Sequence, residues 1–286
     1  MKNGKPGHLM PIVCIDAGHY GKRNRSPVVP EYYESEMNWK LQNYQKEELE
    51  KYGIKVITTR KDQKKDLALM SRGKASQDCD LFLSVHSNAC DTESVDRVVV
   101  IVQLDGRGDM LGALLAQCIR DVMQTNDPYK VATRKGISGE YYGVLRGAAQ
   151  VGTVGMILEH SFHTNTRAAK WLLVDENLRK LAKAEAKVIA EYFGVCGEEA
   201  PDKATVTNRL DFARECHEEK KGTYRVVSSD GVLNLRSGAG TDKPLIEAMK
   251  SGSTVKCYGY HTGEWLYVVS QRGNIGFCHA GYLVRE

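Results

Sequence analysis

Four short segments between residues 15 and 159 carry side chains whose types could do chemistry together. They are Ile15-Asp16-Ala17-Gly18-His19, Glu34 at the start of a helical run, Ser84-Val85-His86-Ser87-Asn88, and Ile157-Leu158-Glu159. Two imidazoles (His19, His86) and two carboxylates (Glu34, Glu159) are the components of a catalytic zinc site with its base. Two His and one carboxylate leave a zinc position open for water, whereas a structural site is closed by four protein ligands. Any one of these residues alone reads better as a hydrogen-bonded structural residue; their convergence at strand ends brings the hydrolytic reading level with it.

The elements that must position them follow from apolar periodicity. Short β-rich runs at Pro11–Ile15, Ile54–Thr58, Leu81–Val85, Val98–Val102 and Val154–Leu158 read as strands buried on both faces. Helical spacing occupies Met37–Tyr52, Leu67–Gln77, Leu111–Gln124 and Asn177–Phe193, with Gly53 and Gly194 as stops. This alternation predicts an α/β domain with a mostly parallel sheet flanked by helices. Ligands collect at the carboxyl ends of strands in such sheets. His19, His86 and Glu159 each follow a strand there, and Glu34 reaches across from just before a helix.

Residues 196–221 break the rhythm. They are charged, carry Gly197 and Pro201, and read as a linker, although Leu210–Cys216 could form a helical turn or two. From Gly222 onward, short strands alternate with glycine-bearing turns: Tyr224–Val227, Val232–Leu235, Thr254–Tyr258, Trp265–Val269 and Gly276–His279. Residues 222–286 therefore read as a small β-barrel, whose closure removes exposed edges. The expected organisation is a catalytic domain over 1–195, a linker over 196–221 and a small domain over 222–286.

Bulk composition limits the function classes. Of 286 residues, 42% are hydrophobic and 27% charged, an ordinary globular balance. A net charge of +4, without a basic stripe interleaved with aromatics, gives no footprint for nucleic acid. No apolar run approaches the length of a membrane span. Met1 to His8 is polar and lacks the apolar centre of a signal peptide, so the expectation is a chain made without an export signal, or with one removed. The eight cysteines include no Cys-x-x-Cys pair, which fits synthesis in a reducing compartment. Cys257 and Cys278 fall on core-facing strand positions, where contact between them is open but buried thiols are expected.

The four segments resemble, in order, those of the zinc-dependent N-acetylmuramoyl-L-alanine amidases of the cell-wall amidase type. That family has a D-x-G-H-G-like turn, E-x-x-x-N, S-x-H-x-N and a late E-x-x-F-x-x-N. This chain has Asp16-Ala17-Gly18-His19, Glu34 to Asn38, Ser84 to Asn88 and Glu159 to Asn165. The resemblance spans roughly residues 10–195. It implies one zinc ion held by His19, Glu34 and His86, with Glu159 as general base, and Asp16 and Asn88 supporting the ligands or the substrate. It also implies peptidoglycan as the substrate. The sequence departs from the pattern at Tyr20, where a second glycine is common. Glu36 competes with Glu34, but the spacing to Asn38 favours Glu34. His160 and His163 flank the catalytic segment, and a structural role is the better reading of each. Arg72 could bind substrate or equally close its helix onto the fold.

The run from Val232-Leu233-Asn234-Leu235-Arg236-Ser237-Gly238 through Gly263-Glu264-Trp265-Leu266-Tyr267-Val268 to Gly281-Tyr282-Leu283 resembles the bacterial SH3-like domains, which commonly bind peptidoglycan. Trp265, Tyr267 and Phe277, with Tyr258 and Tyr260, are the candidates for lining a groove, while strand alternation sends some of them into the core. The two resemblances together imply a cell-wall-degrading enzyme, and the expected absence of an export signal favours a phage or prophage endolysin, held in the cytoplasm until lysis, over an autolysin whose leader has been removed. A zinc peptidase of the peptidoglycan stem or cross-link and a non-catalytic wall-binding protein are the alternatives.

Overall fold

A computed structural model describes residues 10–137, 139–195, 213 and 215–286. The chain divides into two compact units, Met1–Glu198 and Glu199–Glu286.

The first unit runs β1 (Ile12–Ala17), α1 (Glu34–Lys51), β2 (Lys55–Thr58), α2 (Leu69–Lys74), β3 (Leu81–Asn88), β4 (Val99–Val102), α3 (Asp109–Met123) and β5 (Lys130–Ala132). The two-residue strands β6 (Lys135–Gly136) and β7 (Gly139–Glu140) follow, then α4 (Gly143–Gln150), β8 (Val154–Phe162), α5 (Thr166–Leu172) and α6 (Asp175–Tyr192). Six strands form one sheet in the order β2-β1-β3-β8-β4-β5. All neighbours are parallel except β4 and β8.

Both faces of the sheet are covered, and the alternation of side chains shows how. Val13, Ile15, Leu83, Val85, Met156 and Leu158 join residues of α1, α3 and α6 in one apolar cluster. Cys14, Phe82 and Ile157 point the other way and meet Val144, Leu145 and Ala148 of α4. On this second face the strands change character towards their carboxyl ends. Cys14 gives way to Asp16, Phe82 to Ser84 and His86, and Ile157 to Glu159, each two residues further along and so on the same side. The register sets Asp16 beside Ser84 and His86 beside Glu159.

The chain also forms elements that periodicity did not predict. Helix α4 is glycine-rich for its length, and glycine weakens the local helical signal. Helix α5 is only seven residues long and opens on the Asn165 side chain, which accepts from the Ala168 amide at 2.9 Å. Strand β8 continues beyond Leu158 through the polar residues Glu159 to Ser161. There Ser161 adopts φ +61° where the β3–β8 register shifts, and its hydroxyl donates to Asp96 at 2.7 Å.

The second unit contains β9 (Glu215–Val226), β10 (Val232–Arg236), β11 (Leu245–Lys250), β12 (Thr254–Thr262), β13 (Trp265–Ser270), β14 (Ile275–His279) and β15 (Leu283–Arg285). They form an antiparallel half-barrel in the order β11-β10-β14-β13-β12-β9-β15. Its interior holds Val226, Leu235, Val255, Cys257, Leu266, Val268 and Cys278. Residues 215–221, expected in the linker, instead extend β9 against β12, and Cys216 lies in that strand rather than in a helical turn. Their side chains are largely exposed and charged, so no apolar alternation marked them. Residues 196–212 and 214 of that expected linker lie outside the described residues. Cys257 and Cys278 are free and buried, and burial pushes the Cys278 thiol up to about 12.

Candidate metal centre and base

His19, Glu34 and His86 converge on one point. The Glu34 carboxylate lies between the rings, with Oε2 at 3.2 Å from His19 Nε2 and Oε1 at 2.9 Å from His86 Nδ1. One donor atom from each of the three residues lies within 4.8 Å of the others, a group that could hold a metal ion.

Each of the three side chains is held by identifiable bonds. Glu34 is the first residue of α1 rather than a residue before it, and its backbone amide donates to the Asn24 carbonyl at 2.9 Å. Its Oε1 also accepts from the Ser87 amide at 3.1 Å, and Oε2 accepts from Asn24 Nδ2 at 2.8 Å. His19 sits in the left-handed region at φ +60°, immediately after the β1 turn. Arg72 fastens that turn, donating to Asp16 Oδ1 at 3.3 Å, the Ala17 carbonyl at 2.9 Å and the His19 carbonyl at 3.3 Å. Arg60 adds a bond to the Ala17 carbonyl. Arg72 is buried in this role, which settles its two readings in favour of structure. Gly18 must be glycine, because a Cβ there would lie 2.2 Å from His86 Cε1.

The tautomer of His86 follows from proton counting. Ser84 Oγ donates its only proton to Asp16 Oδ2 at 2.9 Å, so it can only accept from His86 Nε2 at 3.2 Å. His86 Nε2 therefore carries a hydrogen, which leaves Nδ1 as the nitrogen that faces Glu34 Oε1 and the cluster centre. On the other side, the two protons of Asn24 Nδ2 serve Glu34 Oε2 and His19 Nε2, the latter at 2.9 Å. The converging ring nitrogens, His19 Nε2 and His86 Nδ1, both face the Glu34 carboxylate, where a metal ion would take the place of the proton between His86 and Glu34. Asp16 acts on His86 through Ser84, not by direct contact. Asn88 is turned elsewhere: its side chain accepts from the Ala89 amide at 2.8 Å, and its carbonyl accepts from the His163 amide. Glu36 is half-buried and faces Lys22 at 4.0 Å, outside the cluster.

Charge is unevenly distributed here. Burial works against the Glu34 carboxylate, but His19 and His86 outweigh it and hold Glu34 well below the usual carboxylate range. Reciprocally, His86 overcomes its burial through Glu34 and rises to about 9. Beside His86 in the register stands Glu159, whose Oε2 is buried without a hydrogen-bond partner. Burial, opposed by His86 and reinforced by the Glu34 charge, raises Glu159 to about 7. A carboxyl poised near neutrality with a free oxygen suits proton transfer.

Behind the cluster lie two supports, in which His160 and His163 take the structural role expected of them with partners that sequence reasoning did not identify. His160 bonds the His86 carbonyl at 2.9 Å and Glu185 of α6 at 2.8 Å, and Glu185 accepts from Gln45 of α1 at 2.7 Å. Ser87 links Tyr32 at 2.7 Å with His163 Nδ1 at 3.0 Å. Ser84 and Ser87 stand within the Ser84–Asn88 segment, and their opposite orientation on the strand was the available signal.

At the carboxyl edge of this α/β sheet two imidazoles meet the Glu34 carboxylate of α1 beside the Glu159 carboxyl, an arrangement that suits a hydrolase. The chain belongs to the N-acetylmuramoyl-L-alanine amidase family, whose model matches residues 13–191. Residues 231–284 match the bacterial SH3 domain. Among solved structures, the chain is similar to the catalytic domain of CwlV, an N-acetylmuramoyl-L-alanine amidase from Bacillus (Paenibacillus) polymyxa var. colistinus. That match has 19% identity and a TM-score of 0.57, covering 65% of this chain and 100% of the other. It is also similar to the amidase AmiC2 of Nostoc punctiforme, at 22% identity and a TM-score of 0.55 over 64% of this chain and 97% of that one. A third, the amidase from Clostridium difficile 630, shares 19% identity and a TM-score of 0.57 over 66% and 99%. No curated protein matches the chain.

In the SH3-like unit the expected aromatic groove is corrected. Tyr267 and Phe277 are fully buried and pair across β13 and β14 with ring centroids 4.6 Å apart. Tyr267 alternates with the interior residues Leu266 and Val268, and the face it occupies is covered as well. Neither ring can reach a ligand. Trp265 is half-buried, its ring edge-on to His279 at 5.4 Å, so of the three it alone presents surface. Among the described residues, no helix is long and apolar enough to cross a membrane.

Proposed function

We propose that this chain is a zinc-dependent N-acetylmuramoyl-L-alanine amidase, cutting the amide between the lactyl group of N-acetylmuramic acid and L-alanine of the stem peptide. The observation that carries the proposal is the unpartnered Glu159 Oε2 beside a His–Glu–His cluster whose ring nitrogens already face inward.

The cluster fits zinc. Two imidazole nitrogens and a carboxylate are its usual catalytic donors, and three ligands leave a place for water. The depressed Glu34 carboxyl, and the Nε2 hydrogen that His86 directs away from the centre to Ser84, suit a dication there. Zinc supplies a Lewis acid that polarises the scissile carbonyl and lowers the pKa of its water to about 7.

The chain's own residues carry the protons. Glu159 Oε2 accepts a proton from the water that attacks the amide carbon. As the C–N bond breaks, the same oxygen returns that proton to the departing L-alanine nitrogen. His19, Glu34 and His86 hold their places through Asn24, Ser87, Ser84 and Arg72, so the site is organised before substrate arrives. The SH3-like unit serves as a wall-binding module, raising the local concentration of scissile bonds. Pairing of the two modules supports a wall-lytic enzyme of the endolysin or autolysin kind. Cys257 and Cys278, buried as thiols, fit synthesis in a reducing compartment.

The test is digestion of purified peptidoglycan with and without chelator, read by mass spectrometry. Chelator-sensitive release of stem peptides with free N-terminal L-alanine, leaving intact glycan strands, is the expected result. New internal amines instead would make the protein a zinc peptidase, and binding without cleavage would make it a wall-binding protein.

A further inference from the structure

A second group of metal-type donors lies in the SH3-like unit. Glu215 and His217 come from the extension of β9, and His261 from the end of β12. Antiparallel pairing sets Glu215 opposite His261. His217 Nδ1 lies 2.7 Å from His261 Nε2, and Glu215 Oε2 lies 3.8 Å from the same nitrogen. The donor atoms of the three lie within 4.8 Å of one another.

The site is built, not merely gathered. His261 is buried, and its Nδ1 bonds the Gly263 carbonyl at 3.0 Å. A carbonyl only accepts, so Nδ1 carries the hydrogen and Nε2 presents its lone pair to His217. Glu215 Oε1 accepts from the Gly263 amide at 3.3 Å, which leaves Oε2 for the cluster. Gly259, at φ +93° in the β12 irregularity, lets the two strands approach: a Cβ there would lie 2.8 Å from the His217 carbonyl. Glu219, 4.0 Å from His217 Nδ1, brings further negative charge.

We propose that Glu215, His217 and His261 form a second cation site, for a borderline transition-metal dication of the zinc class. Two imidazole nitrogens with one carboxylate oxygen select such ions over magnesium or calcium, which prefer oxygen ligands. The ion replaces the proton that His217 and His261 otherwise share. At zinc–nitrogen lengths of about 2.0–2.1 Å, the two nitrogens must part by roughly half an ångström. His217 is exposed and can move that far. The bound ion ties the β9 extension to the β12–β13 turn.

The full chain, stripped of metal and titrated with Zn2+, tests this. Wild type is expected to bind one equivalent more than His217→Ala, a surface substitution, and the imidazole C–H signals of His217 and His261 are expected to shift with that equivalent. Glu215→Gln is expected to weaken it about tenfold or more. The equivalent persists in His19→Ala/His86→Ala, which separates it from the other centre. Equal stoichiometry in wild type and His217→Ala, or His217 and His261 signals unmoved by stoichiometric zinc, overturns the site. An equal response to Mg2+ overturns the choice of cation.

Discussion

Two clusters of one glutamate and two histidines stand among the described residues, and they differ in what surrounds them. At His19–Glu34–His86 the carboxylate is buried, bridges both rings and accepts from a backbone amide. At Glu215–His217–His261 the carboxylate is exposed, and only His261 is buried. The larger difference is a neighbour. Glu159 stands next to His86 with a free, buried oxygen, while the groups nearest the second cluster are the backbone of Gly263 and the exposed Glu219. Donor identity makes a metal site; an unpartnered carboxyl poised near neutrality makes a hydrolytic one.

The strongest break in that comparison is Glu159→Gln. It keeps the shape of the side chain and removes the base, so kcat is expected to fall about 10²- to 10⁴-fold. Zinc content, measured on the same preparation, is expected to stay unchanged, whereas His19→Ala and His86→Ala lose metal. Activity near wild type in Glu159→Gln would transfer the proton to another group.

Next in size is Ser84→Ala. Ser84 links Asp16 to His86 Nε2. Without it the imidazole loses its enforced tautomer, and zinc affinity is expected to drop about 10- to 100-fold, read by competition with a chromophoric chelator. The turn itself remains pinned by Arg72 and Arg60. An unchanged affinity would show that Glu34 alone orients His86.

A smaller effect, graded with pH, follows from Glu159. The carboxyl works as a base only when ionised, and burial places it at about 7. A dication nearby favours the ionised form, so the apparent value falls at or below this. kcat/KM is expected to rise about tenfold per pH unit on the acid side and to level off by about pH 7. The residual rate of Glu159→Gln should lack this limb.

Much of the site was legible in the sequence, for a physical reason. Three adjacent strands switch from apolar to polar at the same end and on the same face: Cys14 to Asp16, Phe82 to His86, Ile157 to Glu159. That switch is visible as a strand pattern ending in a chemical residue. What stayed hidden depends on contacts distant in sequence. Asn24 has no periodic context, yet it serves both Glu34 and His19. The buried positions of Tyr267 and Phe277 depend on what covers the far face of β13 and β14, which alternation along one strand does not state. The β9 extension, polar and mostly exposed, is held by backbone pairing with β12 rather than by an apolar face.

The smallest expected effect concerns stability, and its sign sharpens the contrast between a catalytic and a structural carboxyl. Glu159 has its native pKa raised to about 7 from the ordinary 4.5, chiefly by burial. A group raised on folding contributes its stability below the unfolded value and loses it as pH climbs through the folded one. In the metal-free protein, wild type should therefore lose stability between about pH 4.5 and 7, where folding keeps a proton that the unfolded chain releases. Glu159→Gln has no proton to lose. Metal-free Glu159→Gln is expected to exceed wild type by about 1–3 kcal/mol at pH 8 and to match it more closely near pH 4.5, by denaturant unfolding at both values. Glu215→Gln, altering an exposed carboxylate, should stay within about 0.5 kcal/mol of wild type at either pH. If the two substitutions behaved alike, the burial that makes Glu159 a base would carry no thermodynamic cost, and its raised pKa would lose its physical cause.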